Sequence, residues 1–208
     1  MIAYDSSSSG STVNPGTSLS WLHTCSGTQR LLLVALRGGN SEGDKVTGVT
    51  YNGVAMTKIT SVTSPSTGNI TISLWYLLNP SSGSNTVTAS LSSGFLGGGS
   101  ISYTGVRQVG FPDNSTTNTG HTVSSLNTSL TTVRNNCWTL LYGMADSISA
   151  STGSTLKTTV SRGALFDSNG VVTPAGAKSM AFTNSVDDVA SIMVSFAPHI
   201  NNAGFLFN

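Results

Sequence analysis

Charged side chains are scarce in this sequence, because only 8% of the 208 residues are Asp, Glu, Lys or Arg, whereas an ordinary soluble domain has about 25%. Ser and Thr together contribute 63 residues and Asn another 16, which predicts a surface covered by hydroxyl and amide groups. Eight carboxylates and three histidines leave few groups that could act as a catalytic acid, base or metal ligand. The composition therefore favours a scaffold or a binding surface over an enzyme.

Other features are missing as well, and each absence excludes a class of partner. The formal net charge is +1 and the basic residues form no cluster, so phosphate contacts to nucleic acid are not expected. No apolar run approaches the roughly 18 residues of a membrane span, so no membrane association is expected. The N-terminus has neither the basic nor the apolar part of a secretory signal, and we expect synthesis in a cytoplasm unless processing has removed an export signal.

The two cysteines, Cys25 and Cys137, stand far apart in the chain and match no metal-site spacing. Two interpretations are open: a pair of small buried apolar residues, or a disulfide between the two halves of the chain. A cytoplasmic origin keeps thiols reduced. We predict that both cysteines are reduced and buried.

Strand-like alternation and β-branched residues recur along the chain, whereas helical periodicity is rare. We predict an all-β fold, an antiparallel two-sheet sandwich that is jelly-roll-like and forms one domain over residues 1–208. Within it, we expect a flexible N-terminal arm at 1–16, a long crossover loop at 107–125 and a C-terminal tail at 199–208. The predicted strands are 17–24, 30–37, 46–51, 54–62, 70–78, 85–91, 99–106, 126–133, 137–145, 156–165, 178–184 and 189–197.

The segments RLLLVALR and CWTLLYGMA are almost continuously apolar, which predicts central strands of a packed sheet. Residues two apart in a strand share a face, and this spacing selects a set of inward-facing side chains. The predicted core residues are Leu32, Val34, Leu36, Leu74, Tyr76, Leu140, Tyr142, Ile192 and Val194. Between two other apolar segments, the pair Asn52-Gly53 predicts a tight hairpin turn.

Three short motifs follow one another in the first half of the chain. They comprise Val46, Val49, Tyr51, Asn52, Gly53, Val54, Met56 and Thr57, then Leu74, Trp75, Tyr76, Leu77, Asn79 and Pro80, and finally Tyr103, Gly105 and Val106. This succession resembles a group of β-sandwich domains in tailed-bacteriophage structural proteins and bacterial surface proteins. The resemblance covers residues 17–110, and its motifs are structural, so it implies the fold more than the function.

The resemblance implies a non-enzymatic structural protein of a phage virion: a capsid decoration, a head-fibre or a tail-associated component. Its partners would be other virion proteins such as the major capsid protein, together with further copies of itself in a homo-oligomer. The absence of an export signal favours this phage setting over a surface protein. The alternative is a carbohydrate-binding or adhesion module that recognises surface glycans from an extracellular or cell-surface location.

Two segments are candidates for these contacts. The tail carries Phe205, Leu206 and Phe207, whose burial against a neighbour would stabilise an assembly without ionic contacts. The predicted loop carries Phe111, Asp113, Asn114 and His121, which could contact a ligand or partner. A Ser-His-Asp hydrolase in this loop is disfavoured, because the sequence has no G-x-S-x-G nucleophile motif.

No cofactor is expected. Calcium prefers several oxygen ligands from one loop, and Glu42 with Asp44 is the best candidate pair, although the adjacent Lys45 disfavours a cation there. Sugar-binding sandwiches stack sugar rings on exposed aromatic side chains. Trp21, Trp75 and Trp138 could do so, but each lies in an apolar segment, which favours core packing.

Overall fold

The computed structural model describes residues 1–38, 43–65, 70–150 and 152–200. Over these ranges the chain forms strands and no helix, and thus no helix there is long and apolar enough to cross a membrane. The strands are β1 (Ala3–Val13), β2 (Ser18–Cys25), β3 (Leu31–Gly38), β4 (Val46–Tyr51), β5 (Val54–Ala55), β6 (Thr57–Thr63), β7 (Thr71–Leu78), β8 (Gly83–Leu91), β9 (Leu96–Thr104), β10 (Asn114–Thr131), β11 (Trp138–Met144), β12 (Ser149–Ala150), β13 (Thr155–Val160), β14 (Gly163–Asp167) and β15 (Ala177–Phe196).

The strands pair into three antiparallel sheets. Sheet A has the order β1-β9-β3-β7-β6, and sheet B has the order β2-β8-β4-β5. Sheet C has the order β10-β15-β11-β14-β13, with β12 paired to β15. The predicted all-β antiparallel sandwich is confirmed, and it contains three sheets where two were expected.

Sheet A lies between the other two sheets, which explains why β3 is apolar at nearly every position. Leu31 and Leu33 pack in a core shared with sheet C, whereas Leu32 and Val34 pack in a core shared with sheet B. Successive side chains of a strand point to opposite faces. A strand in the middle layer therefore buries both of its faces, and every residue of β3 is buried.

The predicted core residues are buried except for Tyr76, which is half-buried at the edge of the core. They do not share one core, however. Leu32, Val34 and Leu36 pack in the core between sheets A and B, whereas the other buried residues of the predicted set pack in the core between sheets A and C. The prediction assumed two sheets with one core between them. Because the structure has three sheets, the predicted core residues are divided between two cores.

Strands β10 and β15 form a long ribbon that bends back over sheet C. Register shifts between Gly120 and Ser125 interrupt the pairing of the two strands, and such bulges bend a strand. Beyond the bend, the Phe182 ring stacks on the Phe166 ring with centroids 6.3 Å apart. The ribbon thereby closes a third core, which contains Leu126, Leu130, Leu141, Ala145, Ala164, Phe166, Met180, Phe182, Val189 and Met193.

Two expected irregular segments are strands instead. The predicted arm at 1–16 contains β1, which pairs with β9 at the edge of sheet A. The predicted loop at 107–125 contains the first two thirds of β10, residues 114–125. Both segments are rich in Ser, Thr, Gly and Asn and lie at sheet edges, where backbone pairing and hydroxyl contacts replace apolar alternation as the source of stability.

The Asn52-Gly53 turn is confirmed. It joins β4 to β5, and both residues have positive φ angles, 50° for Asn52 and 76° for Gly53. A type I′ turn requires positive φ at both central positions, which Asn and Gly adopt at low cost.

The cysteine prediction is also confirmed, since Cys25 and Cys137 are both buried and free. Cys25 belongs to the core between sheets A and B. Burial, together with the nearby Asp113 carboxylate, raises the pKa of the Cys137 thiol to about 12, and burial raises the pKa of Cys25 as well. Both side chains therefore stay protonated thiols near neutral pH.

Candidate interaction surface

One end of the sandwich gathers the N-terminus, the end of β15 and three connections between strands. The fold-back of the ribbon is the reason, because it returns the end of β10 to the end of the molecule where β10 begins. We call this end the terminal face and define it by five exposed apolar residues: Met1, Val109, Val133, Val171 and Ile200. They are half of the ten large apolar side chains that are exposed in the described ranges.

Three clefts connect these residues around Pro198 and Ile200. The first has a volume of about 460 Å³ and contains Val133 and Ile200. The second, of about 380 Å³, is lined by Val109 and Ile200. The third, of about 340 Å³, is lined by Met1, Val171 and Pro198. Contiguous exposed apolar surface is uncommon on monomeric proteins and marks sites of interaction.

Backbone hydrogen bonds hold the centre of this face in place. The amide of Arg107 donates to the carbonyl of Ala197 at 2.9 Å, and the amide of His199 donates to the carbonyl of Gly105 at 2.7 Å. Val106 and Pro198 form an isolated β-bridge between these two bonds. The chain therefore leaves β15 along a defined path that ends among the clefts.

Asp113 supports the terminal face from below. Its side chain is fully buried and accepts hydrogen bonds from the Val133 amide at 2.7 Å, Arg134 Nη1 at 2.9 Å and the Ser195 hydroxyl at 3.1 Å. Burial acts to raise the pKa of Asp113, but the bonds from Val133 and Arg134 outweigh it and lower the pKa. The ionised carboxylate thus positions Val133 and Arg134, and its oxygens are occupied by the protein itself.

The charge of the terminal face is positive. Arg107 and Arg134 line the first cleft, and no residue that lines any of the three clefts is acidic. Arg134 is paired with Asp113, whereas Arg107 forms no ion pair with any described residue. An anionic group could approach Arg107 without meeting a like charge.

The other residues predicted for a contact loop are separated by the structure. Phe111 packs against the Tyr76 ring, with centroids 4.4 Å apart, and the Asn114 side-chain amide donates to the carbonyl of Thr131 at 2.8 Å. His121 lies seven residues further along β10, about 23 Å in extended chain, where its Nδ1 is 2.7 Å from Asp188. The structure therefore does not bring His121 next to Phe111, because the segment from Asn114 onward is a strand. Contact of these residues with a ligand or partner stays a prediction. Phe205, Leu206 and Phe207 lie outside the described residues.

A buried polar network around His23 was not predicted. Trp21 Nε1 donates to the Ser100 hydroxyl at 2.9 Å, and Ser100 Oγ lies 2.9 Å from His23 Nδ1. On the other side of the ring, His23 Nε2 is 3.3 Å from the Ser6 hydroxyl, which donates to the carbonyl of Thr24. Ser100 can donate to Nδ1 because its oxygen already accepts from Trp21, which leaves the imidazole proton on Nε2.

This network joins β1 to β9 within sheet A and to β2 of sheet B. Burial lowers the pKa of His23 from 6.5 to about 4, although the nearby Asp5 acts to raise it, so the ring is neutral near pH 7. Asp5 in turn accepts from Ser102 at 2.7 Å and from Ser26. The sequence signal was the period-two spacing of Leu19, Trp21 and Cys25 in β2, which places His23 on the same, buried face.

The tryptophans do not form an exposed stacking platform. Trp21 and Trp75 are buried, and their indole nitrogens donate to Ser100 and Ser73. Trp138 is half-buried and meets the Tyr103 ring edge-on at 5.9 Å. The geometry therefore supports core packing of the three tryptophans, as predicted, over sugar stacking.

The calcium hypothesis rests on Glu42, which lies outside the described residues, and on Asp44. The Asp44 carboxylate accepts from the Val46 amide at 3.0 Å and pairs with Lys58 Nζ at 2.8 Å. The part of the chain that the structure describes holds no group of three or more His, Cys, Asp or Glu side chains arranged to bind a metal.

No protein-family model matches this chain, and neither does any curated protein or solved structure. The resemblance of residues 17–110 to sandwich domains of phages and surface proteins stays a prediction. The terminal face combines apolar clefts with Arg107, which has no ion-pair partner in the part of the chain that the structure describes, and it is the surface feature on which a functional proposal can be based.

Proposed function

We propose that this protein is a non-enzymatic structural component of a larger particle, to which it attaches through the terminal face. The proposed setting is the virion of a tailed bacteriophage, where it would serve as a capsid decoration, head-fibre or tail-associated component. The observation that carries the proposal is the gathering of half of the exposed large apolar side chains at one end of the sandwich.

The scarcity of charge supports the same proposal. With 8% charged residues in the whole chain, an extended ionic interface is not available, so attachment must depend on apolar contacts and on backbone or hydroxyl hydrogen bonds. A buried valine contributes about 1.5–3 kcal/mol by removal from water. The five residues of the terminal face could therefore provide enough free energy for stable attachment.

The glycan-binding alternative has less support. Two of its three candidate aromatic residues, Trp21 and Trp75, are buried, and none of the three clefts described above is lined by a Phe, Trp or Tyr side chain. Sugar recognition through stacking requires an exposed ring. Binding of the isolated protein to a glycan array would nevertheless favour this alternative directly.

Introducing charge into the terminal face is expected to abolish attachment. In the double variant Val109→Lys/Val133→Lys, two apolar contacts worth about 1.5 kcal/mol or more each are lost, which corresponds to at least about 100-fold weaker attachment. The measurement is the amount of each variant incorporated into purified particles during infection, determined by mass spectrometry.

A matched control exists at the opposite end of the molecule. Val186 is 65% exposed, as is Val133, and it lies ten residues before the end of β15, about 33 Å along the strand. The Val186→Lys variant should be incorporated like the unmodified protein. Equal incorporation of all variants, or absence of the unmodified protein from particles, would contradict the proposal.

A further inference from the structure

A lysine, an aspartate and an asparagine meet at the edge of sheet C. Strand β13 is the last strand of that sheet, and its pairing with β14 skips Lys157, which lies in a register shift between Leu156 and Thr158. Such a bulge re-aims a side chain. The Lys157 Nζ atom lies 3.4 Å from Asp167 Oδ1, and it donates to Asn169 Oδ1 at the same distance. The amine therefore contacts a carboxylate and a side-chain amide at once.

Asp167 carries its carboxylate inside the molecule. Its side chain has no exposed surface, and it shares a face of β14 with Leu165, which belongs to the core between sheets A and C. The Tyr103 hydroxyl donates to Oδ2 at 3.0 Å. Burial raises the pKa of Asp167, although Lys157 and Tyr103 act to lower it. This carboxyl group therefore holds a proton more readily than one in water.

The local backbone places the side chain of Asn169 beside this pair. The Asn169 amide donates to Asp167 Oδ1 at 2.9 Å, as in a turn where a carboxylate binds the backbone two residues later. Asn169 has a φ of 46°, a left-handed conformation that asparagine adopts more readily than most residues. Because Asn169 Oδ1 is bonded to Cγ, the lysine amine lies next to the carbon of a carboxamide. A neutral amine is a nucleophile toward a carbonyl carbon.

Strand β1 covers the lysine and limits its contact with water. The Tyr4 ring lies 5.0 Å from Lys157 Nζ, and the Ser7 hydroxyl donates to the Lys157 carbonyl at 3.5 Å. Only 14% of the Lys157 side chain is exposed, although the residue belongs to an edge strand. Burial disfavours two separate charges, and it thus favours transfer of a proton from Lys157 to Asp167.

We propose that Lys157 and Asn169 form an intramolecular isopeptide bond and that Asp167 catalyses the reaction. Asp167 accepts a proton from the Lys157 ammonium, and the neutral Nζ attacks Cγ of Asn169. The Nζ–Cγ bond forms and the Cγ–Nδ2 bond breaks. Of the three protons on Nζ, one stays on the new amide, and Asp167 transfers the other two in turn to the departing nitrogen. That nitrogen leaves as ammonium, and no atom is oxidised or reduced.

The bond would attach the edge strand β13 covalently to the turn that follows β14. Backbone hydrogen bonds at the edge of a sheet open more easily than those of its central strands. A link across residues 157–169 would hold this edge closed in a component that must stay folded outside a cell. It does not involve the terminal face, so the inference goes beyond the proposed function and does not depend on it.

Another lysine of the chain provides a matched control. Lys58 Nζ lies 2.8 Å from Asp44 and 4.9 Å from the centre of the Trp75 ring, so it also has a carboxylate and an aromatic ring as neighbours. No asparagine of the described ranges accepts a hydrogen bond from it. Lys58 therefore has a proton acceptor but no carboxamide to attack.

The mass of the intact purified chain is the first measurement. We expect it to be lower than the mass of the sequence by one molecule of ammonia. Ring closure of Asn169 onto the Gly170 nitrogen would expel ammonia as well, so the linkage must also be located.

Tryptic digestion locates it. Trypsin does not cleave after an acylated lysine, so residues 135–162 and 163–178 should be recovered as one branched peptide. An unlinked chain gives the separate peptides 135–157, 158–162 and 163–178. The full mass of the sequence, or loss of ammonia with these peptides separate, would overturn the proposal.

Substitutions assign the three roles. Lys157→Arg keeps the positive charge but removes the nucleophile, and Asn169→Ser removes the carboxamide, so both variants should retain the full mass of their sequences. The control Lys58→Arg should lose ammonia like the unmodified chain. Asp167→Asn keeps an oxygen for the Tyr103 hydroxyl but cannot take up the proton, and it should lower the yield of branched peptide at least about tenfold.

Two outcomes with the variants would contradict the assignment. Loss of ammonia in Lys157→Arg would show that another reaction causes it, and an unchanged yield of branched peptide in Asp167→Asn would overturn the catalytic role of Asp167. The unmodified chain by itself decides whether the bond forms, so the test does not require that Asp167→Asn folds. Incorporation into particles is measured separately, and either result there leaves this test unaffected.

Discussion

Replacing Leu141 by alanine is expected to lower the free energy of unfolding by about 2–5 kcal/mol, as are the replacements Leu140→Ala and Leu32→Ala. All three leucines are fully buried, and each lies in a different one of the three cores. Such a change removes the transfer free energy of the side chain and leaves a cavity that neighbouring residues fill only in part. Urea denaturation of the three variants measures the effect.

The comparison of Leu140 with Leu141 tests the third layer. These neighbours in β11 point to opposite faces of sheet C, so a sandwich of two layers would leave one of them in solvent. Leu22, which is 63% exposed, is the control, and Leu22→Ala should change stability by less than about 0.5 kcal/mol. If Leu141→Ala cost as little as Leu22→Ala, the ribbon would not cover sheet C in solution.

Much of the first half of the fold could be predicted, because its strands carry apolar alternation between clear turn residues. The strand 46–51 and the turn at Asn52-Gly53 are examples, since both follow from local patterns. The continuous apolar character of β3 indicated burial on both faces. It could not show which sheet covers each face, because that depends on contacts between residues distant in sequence.

The polar edge strands could not be recognised in the same way. In β1 the side chains from Asp5 to Thr12 are small or polar, so neither an apolar period nor a turn residue distinguishes this strand from a loop. The bend of β10 likewise depends on a partner. Gly143 in β11 leaves room for Phe182, whose ring would lie 2.7 Å from an added Cβ. A glycine within an apolar strand signals such a close approach, but it does not identify what approaches.

The terminal face was predictable only in part. Val109, Val133 and Val171 lie in three separate connections, where no periodic pattern marks them. Only the fold-back of the ribbon brings them to one end. Asp113 was predicted as a possible contact residue. The structure places it beneath the terminal face, where its carboxylate accepts hydrogen bonds from three donors of the protein and so positions its neighbours.

Acidification from pH 7 to pH 5 is expected to destabilise the protein by about 2 kcal/mol through His23 alone. The pKa of His23 is lowered by burial from 6.5 to about 4, so the unfolded chain takes up a proton in this range and the folded chain does not. The contribution of His23 to stability is therefore complete above pH 6.5 and is lost progressively down to about pH 4.

The physical reason lies in the hydrogen bonds of the ring. Nδ1 is within 2.9 Å of two hydroxyl groups, those of Ser8 and Ser100, and when the ring is neutral it acts as a hydrogen-bond acceptor for them. Protonation would turn Nδ1 into a donor and place a charge in a buried site, which costs free energy even with Asp5 nearby. The hydrogen bonds from Ser26 and Ser102 outweigh burial and lower the pKa of Asp5. Protonation of Asp5 therefore affects the stability of the fold below about pH 4, outside the range in which His23 acts.

The variant His23→Asn separates this effect from other titrating groups. An asparagine oxygen can accept the same bonds near the position of Nδ1 but does not titrate. The variant should be less stable at pH 7, yet its stability should change between pH 7 and pH 5 by about 2 kcal/mol less than that of the unmodified chain. Parallel pH profiles for the two proteins would contradict the prediction, because they would show that His23 takes up a proton equally well in the folded and unfolded states.

Hydrogen exchange of the unmodified chain locates the effect. Because His23 joins β1 to β2 and β9, we expect the amides of β1 to lose protection first on acidification, before those of the strands in the three cores.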